Sequence, residues 1–229
     1  MNQRIPEFYS EPALMRRPVA WVTWLIVGST VAVFLLQLRA LHLYGEDVIG
    51  DALAFSSDAL AEHRYWTLIT YAWVHAVAMF GDSNLYWLHI VANMIPLVCL
   101  GPALEELLGP ARYLGLYLGG AIASVLVWHV LNLDTDEPII GASGAVFAVI
   151  AAIGTAAPRE RVTVLVLYVL PVNLSMRVVA LAACAVEAVQ VLFHWMPDVA
   201  HSAHLGGAAF GFLYVCTLRF LARRRHLSV

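Results

Sequence analysis

Apolar residues run along most of the chain in long blocks that short polar segments separate. A helix that crosses a bilayer needs about 20 mostly apolar residues, and six blocks are long enough. These blocks are Val19–Leu38, Leu85–Leu104, Tyr113–Asn132, Ile139–Ala157, Met176–Phe193 and Ala200–Leu221. The short alternating segments of a membrane barrel are absent from the sequence. The pattern therefore predicts an all-α fold, a polytopic membrane bundle of six transmembrane helices.

Composition supports this prediction. Hydrophobic residues make up 61% of the chain and charged residues 13%, with a mean hydropathy of +0.76. Soluble domains have roughly half their residues apolar and about a quarter charged. The lipid bilayer is thus the expected surrounding, and no nucleic-acid partner is predicted.

Arginines and carboxylates fall on alternate sides of the predicted spans. One side carries Arg4, Arg16, Arg17, Arg112, Arg159, Arg161, Arg177, Arg223, Arg224 and Arg225. The loops of the other side carry Glu46, Asp47, Asp51, Asp58, Glu62, Asp82, Asp134, Asp136, Glu137 and Asp198, with only Arg39 and Arg64. Short arginine-rich loops stay in the cytoplasm, so both termini are predicted to be cytoplasmic. The expected parts are a cytoplasmic segment 1–18, a membrane domain 19–221 and a cytoplasmic tail 222–229.

Two segments do not fit a simple span. Val162–Val172 is apolar but short, which suggests an extended or interfacial piece. The long first outer loop, Ala40–Asn84, is rich in tyrosine and tryptophan. Such aromatic residues favour the headgroup layer, so this loop is expected to lie against or partly within the membrane.

Polar residues inside predicted spans are functional candidates, because polar groups are costly in a bilayer. His89 and Asn93 lie in the second span, Ser143 at the head of the fourth, and His204 at the head of the sixth. The three spans run in the same direction. At about 1.5 Å per residue, His89, Ser143 and His204 would lie roughly 6 Å below the outer ends of their helices.

Small residues also predict that Ser143 and His204 meet. Gly144, Ala148, Ala152 and Ala156 recur at every fourth position of the fourth span, and Ala203, Gly207 and Gly211 do so in the sixth. Such ridges let two membrane helices approach closely. Each ridge begins beside one of the two residues, so packing the ridges would bring the serine and the histidine together.

The chemistry of this pair is that of an activated nucleophile. A serine hydroxyl attacks only when a base takes its proton, and neutral imidazole suits that task. His201 is the chief rival to His204 as the base. No carboxylate lies near this depth on the second, fourth or sixth span, so a dyad is expected rather than a triad. Backbone N–H groups freed near Ser143 by Gly141 and Gly144 would bind an oxyanion together with the side chains of His89 and Asn93.

The motifs His89-Ile-Val-Ala-Asn93, Gly141-Ala-Ser143-Gly144 and Ala203-His204-Leu-Gly206-Gly207 resemble those of the rhomboid intramembrane serine proteases. The resemblance covers about Trp66 to Gly211. It implies Ser143 as the nucleophile, His204 as the base, and an oxyanion hole of His89, Asn93 and the Ser143 backbone. Gly141 and Gly144 would support the site, and Phe147 would pack on the histidine.

The resemblance also implies a function. A serine endopeptidase of this type hydrolyses peptide bonds of membrane-anchored substrates near the outer face of the bilayer, and substrates would pass between the second and fifth spans. No metal or organic cofactor is implied. Short tails and the lack of an organelle-targeting segment predict a bacterial inner (plasma) membrane. Natural substrate and oligomeric state stay open.

Other functions remain as alternatives. A rhomboid-like relative could bind membrane clients without cutting them. Six histidines near the outer face could instead hold a metal ion or haem; they are His75, His89, His129, His194, His201 and His204. Glu187 in the fifth span is either a structural hydrogen-bonding group or a proton-coupled site of a transporter.

Overall fold

The computed structural model describes residues 19–77, 86–133, 135, 137–166, 170–193, 195–196 and 199–227. The predicted segment 1–18, the last two residues of the predicted tail, Leu85, several loop carboxylates and His194 lie outside these ranges. The helices are α1 (Trp21–Tyr44), α2 (Val48–Leu53), α3 (Ser57–Ala61), α4 (Thr67–Thr70), α5 (Trp87–Leu108), α6 (Pro110–Leu131), α7 (Ser143–Ala156), α8 (Met176–Phe193) and α9 (His201–Leu227). A 3₁₀ turn covers Tyr71–Trp73, and two strands, β1 (Arg161–Val166) and β2 (Leu170–Ser175), lie between α7 and α8.

Five of these helices, α1, α5, α6, α8 and α9, are long and apolar enough to cross a membrane. They correspond to the first, second, third, fifth and sixth predicted spans, with ends shifted by a few residues. The last helix continues well past the predicted boundary at 221. The chain is therefore a multi-pass integral membrane protein.

The fourth predicted span is shorter than the sequence pattern indicated. Helix α7 has only 14 residues and begins at Ser143, not at Ile139. Ile139 forms a two-residue antiparallel bridge with Phe55, and Gly141 has a φ of +110°. A positive φ cannot continue a right-handed helix, so the chain turns sharply just before the serine.

The first outer loop is a folded layer. Asp47 and Ser56 cap α2 and α3 by accepting hydrogen bonds from backbone N–H groups of the first turn. Phe55 and Tyr71 are fully or almost fully buried. The backbone N–H of Gly141 donates to the Tyr71 carbonyl at 3.0 Å. The loop thus holds the segment that leads into α7.

Helix α7 lies at the centre of the bundle, packed against α5, α6, α8 and α9. A Cβ placed on Gly207 would overlap the Gly144 carbonyl, and one on Gly211 would overlap the Ala148 carbonyl. The prediction that the small-residue ridges bring these two helices into close contact is confirmed.

The segment between α7 and α8 corrects the expectation of a purely helical chain. Strands β1 and β2 pair as an antiparallel hairpin, with Arg161 opposite Ser175 and Val164 opposite Val172. For Val162–Val172 the sequence allowed an extended or an interfacial piece, and the described residues of that segment are extended.

Candidate active site

Ser143 and His204 face each other across the contact between α7 and α9. Ser143 is the first residue of α7 and His204 is the fourth residue of α9. The Ser143 Oγ lies 2.7 Å from the His204 Nε2. The histidine is 7% exposed, so the hydrogen bond is largely shielded from competing solvent.

Two side chains contact the His204 ring, one on its face and one on its edge. The ring of Phe147, one turn further along α7, stacks on it with centroids 4.6 Å apart and an interplanar angle of 7°. On the edge away from Ser143, the His204 Nδ1 lies 2.9 Å from the Glu187 Oε2. A carboxylate from the fifth predicted span therefore contacts this histidine, which the expectation of a dyad did not include.

Glu187 comes from α8, the fifth predicted span, whereas the expectation of a dyad rests on the second, fourth and sixth spans only. Its Oε2 also lies 2.6 Å from the Nδ1 of His201. The Nε2 of His201 lies 3.1 Å from the backbone oxygen of Trp195. A sequence signal did exist: a lone carboxylate in an apolar helix needs partners, and two histidines three residues apart share a helix face.

The hydrogen-bond contacts distinguish His204 from His201, the other histidine predicted as a possible base. Both nitrogens of the His201 ring are engaged, one with Glu187 and one with the Trp195 backbone. His204 is the histidine that contacts the serine hydroxyl. The geometry thus favours His204 as the base.

The predicted oxyanion residues lie beside the turn that precedes Ser143. The backbone N–H of Ala76 donates to the His89 Nδ1 at 3.2 Å, so in the neutral ring the Nε2 carries the proton. That Nε2 would lie 2.7 Å from a Cβ built on Gly141. Asn93 is buried, and its Nδ2 donates to the His89 carbonyl at 2.8 Å.

Backbone donors are available at the same place. Ala142 precedes α7 without a side-chain hydrogen bond to its first turn. The first N–H groups of a helix have no acceptor within the helix and favour anions. The N–H groups of Ser143 and Gly144 can therefore face a developing negative charge.

The described histidines do not gather in one cluster. Burial and, secondarily, the neighbouring His89 lower the pKa of His75 to about 3, and its ring lies 5.1 Å from that of His89. His129 contacts Ser57 at 3.0 Å elsewhere in the molecule.

Glu187, His201 and His204 could offer ligand atoms to a metal ion, because these atoms lie within 4.8 Å of one another. The Glu187 Oε2 is already within hydrogen-bonding distance of the Nδ1 of both histidines.

Comparison with known proteins assigns the chain to a family. Residues 62–220 match the Rhomboid domain. The chain is 32% identical over 130 residues to the presenilin-associated rhomboid-like protein A, mitochondrial, of Danio rerio, covering 56% of this chain and 33% of that protein. It is 33% identical over 205 residues to the rhomboid protein 1, mitochondrial, of Saccharomyces cerevisiae, covering 84% of this chain and 52% of that protein.

A plant protein also matches. Identity with RHOMBOID-like protein 5 of Arabidopsis thaliana is 31% over 160 residues, covering 69% of this chain and 46% of that protein. The chain thus spans a third to about half the length of these curated relatives. The domain match covers well over half of this chain. The chain belongs to the rhomboid family.

Proposed function

We propose that this chain is an intramembrane serine endopeptidase that hydrolyses peptide bonds of membrane-anchored proteins near the outer face of the bilayer. The observation that carries the proposal is the 2.7 Å contact between the Ser143 Oγ and the His204 Nε2. It occurs at the head of a central helix in a chain of the rhomboid family. A serine paired with an imidazole is the minimum needed for nucleophilic catalysis.

The proposed chemistry begins with proton transfer. As the Ser143 Oγ attacks the substrate carbonyl carbon, its proton passes to the His204 Nε2. The tetrahedral intermediate collapses, the C–N bond breaks, and His204 gives that proton to the leaving amine. Water then attacks the acyl-enzyme while His204 takes a proton from it, and breaking the Oγ–C bond returns a proton to Ser143.

The proposed oxyanion hole lies where negative charge develops. The His89 Nε2–H, the Asn93 amide and the backbone N–H of Ser143 are the donors, because all adjoin the Gly141 turn. Such donors typically contribute about 2.7–4 kcal/mol each to transition-state stabilisation.

We propose that α7, the fourth predicted span, also crosses the membrane, which gives six spans in total and puts both termini in the cytoplasm. Its 14 residues extend about 21 Å at 1.5 Å per residue, less than the roughly 30 Å of a hydrocarbon core. A short span is tolerable because α7 is surrounded by other helices, and irregular backbone at membrane depth is allowed inside protein. If the inner end of α7 reaches the inner edge of the hydrocarbon core, this shortfall would put Ser143 below the outer surface. The arginine distribution supports the orientation.

The proposed substrate is the transmembrane segment of another protein. Its helix must unwind near the outer face, because a helix hides its carbonyls in hydrogen bonds. Gly, Ala or Pro at that level would make unwinding easier. The proposed path lies between α5 and α8. In support, α8 has the smallest share of buried residues among the five long apolar helices.

For location, the sequence-based expectation of a bacterial plasma membrane stays a prediction. The relatives from zebrafish and yeast carry mitochondrial names, so a mitochondrial membrane is the alternative location. Fractionation of cells that express the chain natively distinguishes the two.

Covalent labelling tests the nucleophile without a substrate. A fluorophosphonate should modify purified parent protein on the peptide that contains Ser143, leave Ser143→Ala unlabelled, and react far more slowly with His204→Ala. Ser202→Ala is the matched control, since Ser202 neighbours the site on α9 but is not the proposed nucleophile. Labelling of Ser143→Ala at the parent rate would contradict the assignment of Ser143, and a parent protein that stays unlabelled would favour a client-binding protein.

A further inference from the structure

Glu187 of α8 contacts both His201 and His204 of α9. It lies on an apolar membrane helix, is 9% exposed, and shares one oxygen between two histidines. A carboxylate is costly at such a place unless its hydrogen bonds are satisfied. We propose that Glu187 is a positioning residue that fixes the tautomer of His204, and that His201 supplies the proton that keeps this buried carboxylate neutralised.

The two ring nitrogens of His204 must have different protonation states. For Ser143 to give up its proton, the His204 Nε2 must carry a lone pair, so the Nδ1 must carry the hydrogen. That hydrogen faces the Glu187 Oε2, which lies 2.9 Å away. The opposite tautomer would set a nitrogen lone pair against a carboxylate oxygen. The contact therefore selects the tautomer in which His204 can act as a base.

Both ring nitrogens of His201 face oxygen atoms, which requires a proton at each contact. The Trp195 carbonyl, 3.1 Å from the His201 Nε2, can only accept, so this nitrogen carries a hydrogen. A second proton must lie between the His201 Nδ1 and the Glu187 Oε2, because two lone pairs would repel at 2.6 Å. Wherever that proton sits along the bond, Glu187 and His201 together are neutral. This removes much of the cost of burying the carboxylate.

The two contacts of His204 have complementary effects. Phe147 fixes the plane of the ring by stacking, and Glu187 fixes which edge of the ring faces Ser143. When the Ser143 proton moves to the Nε2, the Nδ1–H stays on His204 and donates to Glu187. The carboxylate then stabilises the imidazolium without taking up its proton.

This inference rests on the proposed protease function, but its first test does not need activity. Nitrogen-15 NMR of histidine-labelled protein, assigned by comparison with His204→Ala, reports which ring nitrogen of His204 is protonated. The expected result near neutral pH is a proton on Nδ1 in the parent and a mixture of tautomers in Glu187→Gln. A parent His204 with its proton on Nε2 would overturn the proposal, whether or not the chain cuts any substrate.

Kinetics give the second test. Glu187→Gln should lower kcat by about 100-fold or more while KM stays within about twofold, because wrong tautomers remove transition-state stabilisation and not binding. Glu160→Gln, the same change at an exposed site, should match the parent. A folded Glu187→Gln with kcat within about threefold of the parent would contradict the proposal. An inactive parent would instead refute the proposed function and leave the NMR result to decide the role of Glu187.

A double variant tests His201. If His201 acts only through Glu187, then His201→Gln should lower kcat, and Glu187→Gln combined with His201→Gln should be no worse than Glu187→Gln alone. Independent sites would multiply their losses. Multiplied losses would therefore overturn the role assigned to His201.

Discussion

The ring of Phe147 lies parallel to the imidazole of His204, 4.6 Å from centroid to centroid. Aromatic contacts of this kind contribute roughly 0.5–1.5 kcal/mol, and here the contact restricts the plane of the proposed base. Phe147→Ala should therefore lower kcat about 3- to 10-fold with little change in KM. Phe212→Ala removes an exposed phenyl ring of α9 and should leave kcat unchanged. Equal kcat values for the two variants would show that the stacking has no catalytic effect.

The contact between α7 and α9 should tolerate no side chain at Gly207. A Cβ there would overlap the Gly144 carbonyl, so Gly207→Ala must push the helices apart. Overpacking typically costs about 1–3 kcal/mol, and a shift of about 1 Å between reacting groups can cost about 100-fold in rate. Unfolding in detergent should show the loss of stability, and cleavage kinetics should show the loss of rate.

The control for that variant is Gly28→Ala in α1. A Cβ at Gly28 has no neighbour within 4 Å, and alanine favours a helix over glycine. Its stability should equal or exceed that of the parent. If Gly207→Ala behaves like Gly28→Ala, the close approach of the two helices is not required.

The turn at Gly141 should be equally restricted. Gly141→Ala would put a Cβ 2.7 Å from the His89 Nε2 at a φ of +110°, which displaces a proposed oxyanion donor. We expect kcat to fall by about 100- to 1,000-fold. Gly45→Ala shares the strain of a positive φ but meets no neighbour within 4 Å. Gly45→Ala should lose stability and keep the kcat of the parent. If Gly45→Ala lost as much kcat as Gly141→Ala, backbone strain and not the displaced donor would explain the effect at Gly141.

Outside the site, Glu105 should be a determinant of stability. Its carboxylate accepts hydrogen bonds from the backbone N–H of Val22 at 3.0 Å and from the backbone N–H and hydroxyl of Thr23, both at 2.8 Å. It therefore caps the first turn of α1 from α5. Hydrogen bonds to charged groups contribute about 1.5–3 kcal/mol, so Glu105→Gln should lower the free energy of unfolding by about that amount. The neighbouring Glu106 is exposed, and an equal loss in Glu106→Gln would contradict the capping role.

Much of the fold follows from sequence because its signals are local. Blocks of apolar residues mark the long helices, and small residues at every fourth position mark the contact between α7 and α9. These two signals predict from the sequence that Ser143 and His204 are in contact. The short α7 was less predictable, because the apolar block runs through Gly141 and only the backbone shows that its φ is positive.

The contacts of Glu187 could not be predicted from local sequence signals. It lies 14 residues from His201 and 17 from His204 along the chain, on a helix without a motif. Its role depends on how α8 rotates against α9, which is decided by packing over the whole bundle. The hairpin β1–β2 was likewise only partly predictable, since a short apolar run suits several structures.

The most direct test of the account is cleavage of a tagged single-span substrate by purified protein. The substrate should carry glycine or alanine near the outer end of its transmembrane segment, and Ser143→Ala, His204→Ala and the parent should be compared after reconstitution in vesicles. The account predicts one cut at that level by the parent and none by either variant. Cleavage by Ser143→Ala at the parent rate would contradict it.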